Sequence, residues 1–154
     1  MPGFLRYKKS FSKERGLGMG TTGQNRTVMI VDDTDDIRDL LRVQLAMFGY
    51  RVIEAASGQE AIQLIRREVP QLILMDINMP GLDGIEATRL IRKSSSNPAI
   101  IIIAFTALNE AGVRQRALAA GCNDYVQKPL EAEQLFSFLS RYMSSLSPSD
   151  HSAV

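Results

Sequence analysis

The sequence predicts an α/β fold in which a parallel sheet is covered by helices on both faces. Three observations lead there. Val28-Met29-Ile30-Val31, Leu72-Ile73-Leu74-Met75 and Ile100-Ile101-Ile102-Ile103-Ala104 are short apolar runs without polar alternation. Such runs suit strands buried on both sides. Between them lie stretches with helical periodicity, and strand–helix alternation of this kind implies parallel strands joined by right-handed crossovers.

The elements follow in order. A first strand starts at Thr27, and Ile37, Leu40, Leu41 and Leu45 then recur at the spacing of one helix face. Gly49 stands where that helix should stop. A weaker strand reads at Arg51–Ala55, followed by a helix over Ser57–Glu68 that Ser57-Gly58 opens. The strand at Leu72–Met75 leads to a helix over Ile85–Lys93, and the isoleucine run leads to one over Ala111–Ala120, closed by Gly121. A second weak strand reads at Asp124–Val126, and Leu135, Phe138, Leu139 and Tyr142 mark the last helix. These are five βα units in one domain, residues 27–144, without internal repeat. Residues 1–26, punctuated by Gly16, Gly18, Gly20 and Gly23, read as a flexible basic leader, and residues 145–154, with Pro148 and several serines, as a flexible tail.

Composition narrows the chemistry. The chain has 154 residues, 45% of them apolar, enough for a proper core. Its one cysteine, Cys122, excludes an internal disulfide and suits a reducing cytoplasm. No run approaches the roughly 20 apolar residues that span a bilayer, and no apolar segment of a secretory signal follows the basic start. The single histidine, His151, lies in the serine-rich tail, a poor foundation for a zinc site or a Ser-His-Asp triad. Net charge is +1, but residues 1–26 carry six cations against Glu14, a balance of +5, which leaves −4 for the rest. A mildly acidic domain argues against nucleic acid as its main ligand.

In open α/β sheets ligands collect beyond the carboxyl ends of the strands. The positions following strands one, three, four and five hold Asp32-Asp33, Asp76, Thr106 and Lys128. Each has an ordinary explanation. The aspartates suit helix starts and turns, Thr106 could cap a helix, and Lys128 could be a surface lysine. Thr34, Asp35 and Asp36 already serve the first helix start, however, and five such coincidences on one rim are a poor account of the set. Three carboxylates brought together repel one another unless a cation joins them. A hard ion with oxygen ligands fits, and Mg²⁺ shares its remaining positions with water and phosphate. With Lys128 and Thr106 beside it, the rim becomes a pocket for a phosphoryl group, and a central carboxylate could attack phosphorus to give an acyl phosphate. Neither a G-x-x-x-x-G-K-[ST] loop nor G-x-G-x-x-G is present, so nucleotide hydrolysis on such a loop is not indicated.

Val31-Asp32-Asp33, Met75-Asp76-Ile77-Asn78-Met79-Pro80 with Asp83-Gly84, Thr106-Ala107 and Lys128-Pro129, in that order, resemble the signature of response regulator receiver domains over about residues 27–144. The resemblance is to the stand-alone, chemotaxis-regulator-like type. It implies a doubly wound, flavodoxin-like sheet with strand order 2-1-3-4-5. It implies Asp76 as phosphoacceptor, with Mg²⁺ held by Asp33, Asp76 and the backbone carbonyl of Asn78, and by Asp32 mainly through a water. Lys128 would pair with a phosphoryl oxygen, Lys128-Pro129 would be cis, and Thr106 and Tyr125 would switch the face formed by the fourth helix, fifth strand and fifth helix. Asn78 and Leu108 would stand near the route of the water that ends the phosphorylated state. Apolar Leu108 cannot orient that water, which implies a lifetime that is not unusually short. The implied donor is a histidine kinase or a histidine phosphotransfer protein, the receiver of the signal a separate protein, and the chain a cytoplasmic signalling protein rather than an enzyme, monomeric or dimerising on phosphorylation.

Two other readings compete. Asp33-Thr34-Asp35 has the D-x-D spacing of Mg²⁺-dependent phosphohydrolases of the haloacid dehalogenase type, but their later acidic pair has no clear counterpart, Asp124 being alone, and Asp76 would go unused. A receiver-like interaction module that works without phosphorylation is the other, and the intact acidic set speaks against it.

Overall fold

The computed structural model describes residues 26–94 and 99–152; most of the expected leader, residues 1–25, lies outside them. Five strands alternate with five helices: β1 Thr27–Val31, α1 Asp35–Met47, β2 Arg51–Ala55, α2 Gly58–Arg67, β3 Leu72–Met75, α3 Gly84–Ser94, β4 Ile101–Thr106, α4 Val113–Ala120, β5 Asp124–Gln127 and α5 Ala132–Ser152. The strands form one parallel sheet in the order β2-β1-β3-β4-β5. This is the flavodoxin-like order expected, with helices on both faces.

The apolar runs are continuous because consecutive side chains enter opposite cores. Met29, Val31, Ile73, Met75, Ile102 and Ala104 point to one face, where α2, α3 and α4 supply Ala61, Ile65, Ile85, Ala87, Ile91, Val113 and Ala117. Val28, Ile30, Leu72, Leu74, Ile101, Ile103 and Phe105 point to the other, against Leu41 and Leu45 of α1 and Leu135, Leu139 and Met143 of α5. The stripe predicted for α1 is narrower than its periodicity suggested, since Leu40 is 54% exposed.

Chain reversals are set by local chemistry. Ser57 accepts the N–H of Glu60 at 3.1 Å while the Glu60 carboxylate accepts that of Ala56 at 2.6 Å, a reciprocal arrangement close to a capping box. Asp83 accepts the N–H of Glu86 at 2.8 Å at the start of α3. Gly121 ends α4 at φ 119°, in the left-handed region that favours glycine. Gly112, at φ 87°, delays the start of α4 to Val113 rather than the expected Ala111. The last helix runs past Ser144 to Ser152.

Candidate functional site

Register assembles the site. Val31 pairs with Met75, so β1 and β3 end level and the next residues, Asp32 and Asp76, emerge side by side. Pairing continues between β3 and β4 to Met75↔Ala104, and between β4 and β5 to Thr106↔Gln127. Thr106 therefore closes β4 rather than following it, and Lys128 comes next after β5, its N–H donating to the Thr106 carbonyl at 2.8 Å. The Lys128–Pro129 peptide bond is cis.

Carboxylate oxygens of Asp32, Asp33 and Asp76 all lie within 4.8 Å of one another, the one such group of metal-competent side chains among the described residues. Asp32 is 2% and Asp76 8% exposed, whereas Asp33 faces solvent. The Lys128 ammonium donates to Asp32 Oδ2 and stands 3.8 Å from Asp76 Oδ2. It also lies 5.6 Å from the centre of the Phe105 ring, within range of a cation–π attraction. Three carboxylates against one ammonium leave two negative charges unmatched. Burial pushes the Asp76 carboxyl above the usual carboxylate range and Asp32 adds to the rise, while Lys128, the Thr106 hydroxyl and the Asn78 backbone N–H pull the other way. A donor set of clustered oxygens with unmatched negative charge fits a hard divalent cation.

Backbone contacts hold the acids in place. The Asp32 and Asp76 N–H groups donate to Ala55 and Val31 carbonyls at 3.1 and 2.9 Å. Asp32 Oδ1 accepts the Thr34 N–H at 2.9 Å, while the Thr34 side chain makes no cap hydrogen bond. Thr34 is the N-cap residue of α1 with Asp35 and Asp36 in its first turn, as expected, and Asp32 orders the turn that precedes it. Gly84 is fixed by space: a Cβ there would lie 2.0 Å from the Asp76 carbonyl oxygen. Only glycine lets the first turn of α3 pack on the backbone of Asp76.

The expected residues do not all converge. Asp32, Asp33, Asp76, Lys128, the Thr106 hydroxyl and the Asn78 main chain meet at one rim. Tyr125 is half-buried, and its hydroxyl donates to the Leu108 carbonyl rather than to a group of the acid cluster. Thr106 caps no helix, since α4 begins beyond Gly112, and its oxygen accepts the Leu108 N–H at 3.3 Å. Asp35, the second acid of the D-x-D spacing, pairs with Arg38 on the exposed side of α1 instead of joining the cluster. Asp124 binds the Tyr142 hydroxyl at 2.5 Å. Sequence reasoning missed Arg38, whose guanidinium donates to the Asp32 carbonyl at 2.6 Å. Nothing in its spacing separates it from an ordinary helix-surface arginine.

Comparison with known proteins identifies the class of α/β domain to which this fold and rim belong. The response regulator receiver domain family matches residues 28–140, so the chain belongs to that family. Among solved structures, the Vibrio cholerae chemotaxis protein CheY4 is 30% identical with a TM-score of 0.72, over 76% of this chain and 98% of that one. The receiver domain of the sensor histidine kinase PA1611 of Pseudomonas aeruginosa PAO1 is 36% identical with a TM-score of 0.71, over 79% of this chain and 98% of that one, and carries a magnesium ion coordinated in its active-site cleft. The probable transcriptional regulator ycf27 of Porphyridium aerugineum is 38% identical over 73% of this chain but only 45% of its own length. The chain thus spans less than half of that curated relative. Among the described residues no helix is long and apolar enough to cross a membrane.

Proposed function

We propose that this chain is a response regulator receiver whose Asp76 accepts a phosphoryl group from a histidine kinase or histidine phosphotransfer protein. The observation that carries the reading is the juxtaposition of Asp32, Asp33 and Asp76 with Lys128 and Thr106 at one rim of the sheet. Asp32, Asp33, Asp76 and the Asn78 carbonyl would hold Mg²⁺, Asp32 mainly through a water. Bound there, the ion supplies the positive charge that the rim lacks and a Lewis acid toward phosphoryl oxygens.

The residues themselves divide the remaining work. A carboxylate oxygen of Asp76 attacks phosphorus in line. The new O–P bond forms as the P–N bond to the donor imidazole breaks, and the electron pair leaves with that nitrogen, which takes a proton. Lys128 meets one phosphoryl oxygen and the Thr106 hydroxyl donates to another. Drawing Thr106 inward disturbs the Leu108 backbone, which now accepts Tyr125. Tyr125 then moves, and the face of α4, β5 and α5 changes for a separate partner protein. The functional unit is residues 27–144, acting in the cytoplasm without nucleic-acid binding or membrane insertion of its own, as a monomer or a phosphorylation-dependent dimer.

Incubation with Mg²⁺ and acetyl phosphate, followed by intact-mass measurement, tests the reading. Wild type should gain one phosphoryl group and Asp76→Asn none. An unmodified wild type would sink it.

A further inference from the structure

The three acids sit on two loops, each tied to the sheet by one ladder bond and held beyond that in a different way. Asp76 is seated by strand pairing and by the close approach of α3 at Gly84. Asp32 and Asp33 lie beyond the last β1–β2 pair, Val31↔Ala55, and one further ladder bond, from the Asp32 N–H to the Ala55 carbonyl at 3.1 Å, ties them to the sheet. There the Asp32 carbonyl accepts a hydrogen bond from Arg38 at 2.6 Å. Arg38 is held in turn on its other side. Its Nε lies 3.7 Å from Glu54 of β2, its second terminal nitrogen pairs with Asp35, and Glu54 also takes Arg42 Nε at 3.0 Å. Only 15% of the Arg38 side chain is exposed, unlike an arginine that merely decorates a helix.

We infer that Arg38 is a positioning residue for the metal-binding acids, acting through the main chain of Asp32, with Glu54 as its anchor in β2. The inference rests on the receiver reading above. Its logic is that of the groups that orient metal ligands from behind: the ligand's geometry depends on a partner that never touches the ion, and losing such a partner typically weakens metal binding by 10–100-fold. Arginine suits the task because its planar fork reaches the Asp32 carbonyl and two carboxylates from three separate nitrogens, whereas a lysine offers its donors from a single point.

The direction of the effect separates this role from its rivals. Arg38 is a cation near an acidic cluster, so simple charge removal would make Mg²⁺ bind more tightly. A purely structural role would lower the melting temperature and leave affinity alone. Loss of positioning weakens binding in spite of the more favourable charge balance.

The experiment is calorimetric titration of the full chain with Mg²⁺, alongside thermal melts and acetyl phosphate labelling across Mg²⁺ concentrations. Arg38→Ala should bind Mg²⁺ about 10-fold more weakly and need correspondingly more Mg²⁺ to reach half-maximal labelling. Arg38→Lys, which keeps the charge but gathers its three donors on one nitrogen, should lose less. Arg42→Ala breaks a neighbouring Glu54 pair without touching the Asp32 carbonyl, and should stay within about twofold of wild type. Unchanged or tighter binding in Arg38→Ala overturns the inference alone, as does an equal loss in Arg42→Ala. If Arg38→Ala does not fold, Arg38→Lys decides, and binding equal to wild type overturns it. A wild type that binds no Mg²⁺ overturns the inference and the receiver reading together, so the two failures are distinguishable.

Discussion

The two rims of the sheet handle polar groups in opposite ways. At the amino ends of the strands several side chains close loops onto backbone. Arg92 donates to the carbonyls of Gly121 and Ile100 at 2.9 and 2.8 Å and to the Asn123 side chain at 2.8 Å. The same Asn123 oxygen accepts the Ile102 N–H at 2.8 Å, Gln71 accepts the Thr27 N–H at 2.6 Å, and Arg26 reaches the Met143 carbonyl at 2.8 Å. At the carboxyl ends three acids face one ammonium. Among the described residues the groups of the first rim pair with one another, whereas the second carries more negative than positive charge until something cationic arrives. Buried charges are normally paired or bind a metal, and a rim that gathers three acids around one ammonium is where a cationic ligand should act.

Three substitutions sharpen or break that contrast, and the largest effect belongs to packing. Gly84→Ala forces a Cβ onto the backbone of Asp76 and Ile77, where no flexible side chain can yield. Overpacking of this kind should cost about 3 kcal/mol in urea unfolding, and Mg²⁺ affinity should fall with it because Asp76 is displaced. A stable variant with intact affinity would show that the acids' rim is more pliable than its geometry says. Arg92→Ala comes next. It removes three hydrogen bonds and should cost about 2 kcal/mol, while Mg²⁺ affinity stays within about twofold because the rims are far apart. A large loss of affinity in Arg92→Ala would mean that the two rims are coupled.

The same contrast explains what the sequence could and could not reveal. Strands buried on both faces leave uninterrupted apolar runs, so β1, β3 and β4 stood out, and the acids stood out because they break those runs abruptly. The start of α4 was misplaced because Gly112 takes a positive φ that no pattern of side chains announces. Leu40 fits the periodicity of α1 yet remains exposed, since the face that meets the sheet is narrower than the apolar stripe. Arg38 was invisible for a different reason. Its contact is with a carbonyl, and backbone acceptors carry no residue type to read. The Tyr125 hydroxyl likewise finds the carbonyl of Leu108.

The last prediction reverses the sign of the others. Asp76 has its carboxyl pushed above the ordinary range chiefly by burial, with Asp32 adding to the rise. A raised carboxyl binds its proton more tightly in the folded protein than in the unfolded chain. Stability is therefore greater below the unfolded pKa and is lost as pH rises toward the folded value. Without divalent ions at neutral pH the ionised Asp76 is a burden on the fold, and Asp76→Asn should melt at a higher temperature than wild type. The advantage should shrink as pH is lowered through the carboxylate range, where the wild-type carboxyl becomes neutral as well. Mg²⁺ should also shrink it at neutral pH, by stabilising the wild type through binding to the folded state. Thermal melts of both proteins at several pH values, with and without Mg²⁺, measure all of this. A variant less stable than wild type in metal-free neutral buffer would mean that Lys128 and Thr106 already balance the rim, and that its charge is less unfinished than the three acids imply.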